Sequence, residues 1–222
     1  MRQVVVAEYL SLDGIGEDPG RIGAFERRGW VIPYHDDELA ACMLDQLLVS
    51  DALLLGRSTY EGFVTTWPAR SGDPIADRMN SLPKLVASTT LAEPLEWNAN
   101  VLRGDVADEI EKRKQQSGGN LLVYGSRTLV HTLMQRDLVD VYQLMLVPLF
   151  LGSGRRWFGD GRQMPLALAD VTTTSAGVVM LTYERAAEAS DRSKMADAGQ
   201  GDWWLRRRHP RLEPSARSRS PR

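Results

Sequence analysis

Leu53-Leu54-Leu55-Gly56-Arg57-Ser58-Thr59-Tyr60-Glu61 is the stretch on which the reading of this chain turns. A short apolar run bounded by polar residues reads as a buried strand, and the glycine lets the backbone turn tightly or approach a ligand closely. The residues after it bring together a guanidinium, two hydroxyls and the free N–H groups of a helix N-terminus, where the helix dipole favours negative charge. Two readings follow: an anion site suited to a phosphate, or a plain strand-to-helix turn capped by Ser58 or Thr59.

Two further strands end in the same way. Lys84-Leu85-Val86-Ala87-Ser88-Thr89 is a short buried strand closing in hydroxyls, a pattern that also suits a Ser/Thr turn. Leu121-Leu122-Val123-Tyr124 runs into Gly125-Ser126-Arg127-Thr128, which opens a helix carrying Leu129, Val130, Leu133 and Met134. Three such edges on one side of a parallel sheet would build a crevice at the carboxyl ends of the strands, the usual ligand site of open α/β sheets.

Elsewhere strand and helix signals alternate, the pattern of an α/β domain with a mostly parallel sheet. Residues 4–10 read as a first strand and 11–35 as a long loop. A helix begins at Asp36-Asp37-Glu38, its acids suited to a first turn, and is expected to bury Leu39, Met43, Leu47 and Leu48. Residues 75–82 read as a short helix and Val101-Leu102 as a brief strand. Asp105 caps a helix running to Gln116, which Gly118-Gly119 stop. From Val139 the pattern turns to β: a strand over 139–147, then 166–174 and 178–184 as an antiparallel hairpin.

Charge divides the chain. Residues 1–185 carry 18 Lys/Arg and 24 Asp/Glu, whereas 186–222 carry 9 and 5. The division predicts an acidic domain over 1–185 and a flexible basic tail over 186–222, which contains Trp203-Trp204-Leu205-Arg206-Arg207-Arg208. An acidic domain argues against nucleic acid as a partner. No apolar run approaches the roughly 20 residues that span a bilayer, and the N-terminus has no signal-peptide pattern, so the expectation is a cytoplasmic protein with no membrane contact. One cysteine, Cys42, excludes an internal disulfide framework, and the three histidines show no metal-ligand spacing.

Taken together, Ser11-Leu12-Asp13-Gly14, Leu55-Gly56-Arg57-Ser58-Thr59-Tyr60-Glu61, Ala87-Ser88-Thr89, Val123-Tyr124-Gly125-Ser126, Leu138-Val139-Asp140 and Pro148-Leu149-Phe150-Leu151-Gly152-Ser153-Gly154 resemble the dihydrofolate reductase-like superfamily. Within it the chain is similar to the bacterial branch related to the riboflavin-biosynthesis (RibD) C-terminal reductase domain. The resemblance implies a three-layer fold with a mostly parallel central sheet of about eight strands, closed by the C-terminal hairpin, and NADPH bound across the strand ends. It places Gly56, Arg57, Ser58 and Thr59 at the cofactor phosphates and Ser88 and Thr89 beside the adenosine ribose and its 2′-phosphate. Tyr124, Gly125, Ser126 and Thr128 fall at the glycine turn over the pyrophosphate, and Ala7 and Ile15 beside the nicotinamide. The family's turn is usually Gly-Gly, often with a cis peptide between the two. Here it is Gly125-Ser126.

The expected function is NADPH-dependent hydride transfer to a small heterocyclic or carbonyl substrate, pterin- or pyrimidine-like. The alternative is a catalytically inactive nucleotide-binding or ligand-sensing protein on the same fold. Asp13, Asp37 and Glu38 are the candidate acids, each with a competing role as a turn former or a first-turn helix acid. Trp30 and Trp67 are candidates to stack on a planar substrate or to pack. A homodimer is expected, with residues 139–184 supplying most of the contact, because Tyr142, Leu144, Leu146, Phe150 and Trp157 exceed what one sheet face needs.

Overall fold

Strands buried on both faces read as continuous apolar runs, and the central strands here are of that kind. β1 (Val4–Ser11), β2 (Ser50–Gly56) and β5 (Asn120–Tyr124) send alternate residues to opposite faces. Val5, Leu53, Leu55 and Leu122 enter one core cluster, while Val4, Val6, Leu54, Leu121 and Val123 enter the other. The computed structural model describes residues 1–158 and 163–186. Within it Met1–Arg185 forms one compact unit; apart from Ala186, the tail expected over 186–222 lies outside the described residues.

With β3 (Lys84–Ala87), β4 (Ala99–Val101), β6 (Val141–Val147), β7 (Leu166–Thr173) and β8 (Val179–Arg185), the sheet has the order β4-β3-β2-β5-β1-β6-β8-β7. The first six are parallel neighbours, and β8 and β7 add an antiparallel edge. This is the mostly parallel sheet with a C-terminal hairpin that the sequence predicts. Helices α1 (Asp37–Leu48), α2 (Arg57–Val64) and α3 (Pro74–Ser81) pack on one face through Leu39, Leu47, Tyr60, Ala76 and Met79. Helices α4 (Val106–Lys114) and α5 (Arg127–Gln135) cover the other through Ala107, Ile110, Leu129, Val130 and Leu133.

Several local expectations shift. In α1, Leu48 is exposed and Met43 half-buried, while Gln46 takes the inward position and accepts the Tyr124 hydroxyl at 2.9 Å. The brief strand is Ala99–Val101 with Leu102 just beyond it, and α4 stops at Lys114. The long loop over 11–35 is firmly tied. Asp13 accepts the Leu151 and Gly152 N–H groups at 3.1 and 2.8 Å, Glu17 binds Arg155 at 2.7 Å, and a short 3-10 turn spans Ile32–Tyr34.

The expected excess of apolar surface in the late β region is mostly absorbed by the domain itself. Tyr142, Leu144, Leu151 and Trp157 are buried, whereas Phe150, in the loop after β6, and Leu168 and Val171, on β7, are exposed. No helix among the described residues is long and apolar enough to cross a membrane.

Candidate functional site

β2 and β5 are neighbours, yet their helices leave in opposite directions, α2 over one face and α5 over the other. A crevice opens where such connections diverge. Its floor is set by how the helices begin. The chain caps α1, α3 and α4 with Asp36, Asp73 and Asp105, whose carboxylates accept the N–H three residues on at 2.9, 2.9 and 3.0 Å. By contrast α2 starts on Gly56 and α5 on Ser126, and no side chain caps either among the described residues. The capping role open to Ser58 or Thr59 is therefore not taken up. The first-turn N–H groups of both helices are left for an anion, at the positive ends of their dipoles.

The two turns are held against each other. Ser126 Oγ accepts the Gly56 N–H at 2.6 Å and donates to Thr59 Oγ1 at 3.0 Å. Gly125 has φ +58, and a Cβ there would meet Thr59 Oγ1 at 3.0 Å, so a side chain would be strained and would press on Thr59. Ser126 is also left-handed at φ +66, and the Gly125–Ser126 peptide is trans. The Ser126 hydroxyl is thus engaged as a clamp, its one proton within reach of both Thr59 Oγ1 and, at 3.3 Å, the Tyr124 carbonyl.

Arg57 projects from the first turn of α2, with Nε on Glu61 at 2.9 Å and Nη1 on Thr90 Oγ1 at 2.9 Å. It bridges the α2 start to the hydroxyl segment after β3, where Ser88 Oγ accepts the Thr90 and Leu91 N–H groups at 3.2 and 3.0 Å. The surrounding cleft measures about 1810 Å³ and runs along the ends of β1, β2, β3 and β5. It takes in Ala7, Gly56, Arg57, Ser58, Thr59, Ser88, Thr89, Tyr124, Gly125, Ser126 and Thr128. Ile15 is buried beside the wall, its N–H on Ser11 Oγ at 3.0 Å, while Gly16 reaches the cleft.

None of the three candidate acids borders this cleft. The Asp13 carboxyl is lowered to about 2, first by the Ser11 hydroxyl at 2.6 Å and further by the Gly152 and Leu151 N–H groups, and it fastens the two long loops. Asp37 is exposed on α1. Glu38 accepts the Ser175 N–H and borders a separate cavity of about 680 Å³ between α1 and the β6–β8 ladder. Trp67 lines the cleft with its indole N–H buried and unpartnered among the described residues, whereas Trp30 donates to the Glu17 carbonyl at 2.8 Å.

The residue that sequence reasoning missed is Glu8. It is 3% exposed on β1, borders the cleft, and burial pushes its carboxyl well above the usual range against the opposing effect of the Gly125 N–H. The signal was present: Glu8 is the one charged residue in VVVAEYLS, a strand otherwise suited to burial on both faces. Thr90 was missed too, although it continues the Ser88-Thr89 run. Among the described residues no group of three or more His, Cys, Asp or Glu side chains could hold a metal ion.

Comparison with known proteins agrees with this fold. The family model of the RibD C-terminal domain matches residues 2–180, and the chain belongs to that family. The uncharacterised protein YyaP of Bacillus subtilis (strain 168) is 28% identical over 188 residues, covering 82% of this chain and 94% of YyaP. Two solved structures share the fold. A protein of Shewanella sp. PV-4 named for riboflavin biosynthesis is 20% identical with a TM-score of 0.62, covering 84% of this chain and all of that one. A pyrimidine reductase-like protein of Corynebacterium diphtheriae is 13% identical with a TM-score of 0.58, covering 84% and 93%.

Proposed function

We propose that this protein is an NADPH-dependent reductase that transfers hydride to a small heterocyclic or carbonyl substrate of pterin or pyrimidine type. The observation that carries the reading is the pair of uncapped helix N-termini facing one cleft, one of them bearing Arg57. Family membership points to a reductase, and a cleft of about 1810 Å³ exceeds the ~300–1,000 Å³ typical of a single small ligand, leaving room for a dinucleotide and a second molecule.

In this reading NADPH supplies the hydride, and the chain's residues bind, orient and shield. The free N–H groups of Ser58, Thr59, Arg127 and Thr128 hold phosphate oxygens, and the Thr59 hydroxyl adds a donor. Arg57 and the Ser88–Thr90 hydroxyls receive the 2′-phosphate, which favours NADPH over NADH. Gly16 and Ala7 form the wall beside the ring, and the fastened loop over 11–35 with Trp67 keeps water from the reacting end. A cytoplasmic location and a homodimer complete the reading.

The test is a titration of the folded protein with NADPH and NADH, followed by tryptophan quenching, and then a screen of pterins and pyrimidines for oxidation of bound NADPH. Tighter binding of NADPH with turnover of one class supports the reading. Binding without turnover of any member selects a nucleotide-binding or sensing role, and failure to bind either nucleotide refutes both.

A further inference from the structure

β5 stops at Tyr124 while β1 runs on beside β6 to Ser11. Ala7 is the last β1 residue paired to β5, opposite Tyr124, so Glu8 is the first to stand against the Gly125 turn instead of a strand. It borders the cleft, the Gly125 N–H opposes the rise that burial gives its carboxyl, and its Oε1 has no partner among the described residues.

No ion pair holds its carboxyl among the described residues. Tyr9 follows it on β1 and Tyr124 ends β5, and burial raises both phenols. From α1, Cys42 acts on the same two phenols, and its thiol is raised by burial and by Asp45. From α5, Arg127 Nε and His131 Nε2 both meet the Trp157 carbonyl, at 3.2 and 3.0 Å. On the far side of the cleft Arg57 is held by Glu61 and Thr90, and Arg155 by Glu17. A carboxylate this buried without a cation is costly, and the neutral acid carries one O–H donor.

We propose that Glu8 is a proton-carrying ligand contact: it stands in the cleft as the carboxylic acid and donates its O–H to a phosphate oxygen of a dinucleotide held at the Gly125 turn. The proposal rests on the dinucleotide reading of the cleft. The Gly125 N–H can serve the Glu8 carboxylate or a phosphate, and two anions at one turn repel. Ionised Glu8 and a bound phosphate therefore exclude each other, so ligand binding takes up one proton wherever free Glu8 is ionised. Affinity then falls as pH rises through the ionisation of the free protein.

The experiment is calorimetric titration of the full chain with NADPH, and with NADH to separate the titration of the 2′-phosphate itself. It is run across a pH series, in two buffers of different ionisation heat at each pH. Expected for the wild type is a Kd that weakens by up to about tenfold per pH unit above the Glu8 ionisation, for both nucleotides, with matching proton uptake. Glu8→Gln keeps the size and a donor, and is expected to lose that proton uptake and the slope that goes with it. Identical pH profiles and proton counts in wild type and Glu8→Gln overturn the proposal while leaving the dinucleotide reading intact. If neither nucleotide binds the folded wild type, the dinucleotide reading fails and the Glu8 role falls with it. Should Glu8→Gln fail to fold, infrared difference spectra of the wild type decide: a carboxylic-acid C=O band that shifts with NADPH supports the role, and its absence refutes it.

Discussion

Replacing Arg57 with alanine tests the cofactor reading at its most exposed contact. The side chain is 53% exposed, and its guanidinium already meets Glu61 Oε1 and Thr90 Oγ1, both at 2.9 Å. A charge-assisted hydrogen bond to phosphate contributes roughly 1.5–3 kcal/mol. Solvent and the neighbouring Glu61 carboxylate draw the figure to the lower end, about 1.5 kcal/mol, or tenfold in Kd. The fold loses little, because an exposed i,i+4 pair is worth only about 0.3–0.5 kcal/mol. Arg57→Ala is therefore expected to melt like the wild type and to bind NADPH about tenfold more weakly, with a smaller loss for NADH. Glu61→Gln removes the competing carboxylate and is expected to tighten NADPH by about twofold. Tryptophan quenching reads both, since Trp67 and Trp157 border the cleft. An unchanged NADPH Kd in folded Arg57→Ala refutes the contact, and equal losses for the two nucleotides refute its assignment to the 2′-phosphate.

Asp13→Asn is expected to lower stability by about 2 kcal/mol at neutral pH, because the carboxylate serves the Ser11 hydroxyl and the Leu151 and Gly152 N–H groups. The folded-state pKa of Asp13 is depressed, so this stability is present above pH 4 and lost as pH falls to about 2; denaturant titrations at pH 7 and 2.5 showing an equal deficit at both would refute it. Lys84 is fully buried over the Trp97 ring at 3.8 Å, and burial lowers its amine to about 8. The unfolded chain holds that proton to higher pH, so stability is expected to rise from pH 8 towards the ordinary lysine value, and Lys84→Met to abolish the rise. A wild-type melting profile in Lys84→Met over that range would contradict the assignment. Light scattering is expected to give twice 24.8 kDa, reduced to the monomer mass by Phe150→Glu, because Phe150 is the most exposed large apolar residue of the late β region. A wild-type mass near 24.8 kDa would refute the dimer.

The fold was legible because its signals are local. Leu53-Leu54-Leu55 and Leu121-Leu122-Val123 are short apolar runs on consecutive positions, as suits a strand covered on both faces, and Gly56 and Gly125 mark where each turns into a helix. The alternative at Ser58 and Thr59 could not be resolved from residue type, since a hydroxyl near a helix start can cap it or point away; in the structure neither caps α2, in contrast with the three Asp-capped helices. The acids were ambiguous for a related reason. Asp13 looks the same in sequence whether it faces a ligand or two backbone N–H groups 138 and 139 residues away. Glu8 was readable as a charge inside an apolar strand, but its importance comes from the register that sets it against Gly125, a pairing made across the whole domain.

The central claim is that one cleft binds NADPH on the uncapped starts of α2 and α5. Amide chemical shifts recorded during an NADPH titration of the labelled protein test it directly. Saturable shifts at Ser58, Thr59, Arg127 and Thr128, with the capped starts of α1, α3 and α4 unmoved, are the predicted result; saturating NADPH that leaves those four amides in place would contradict the account.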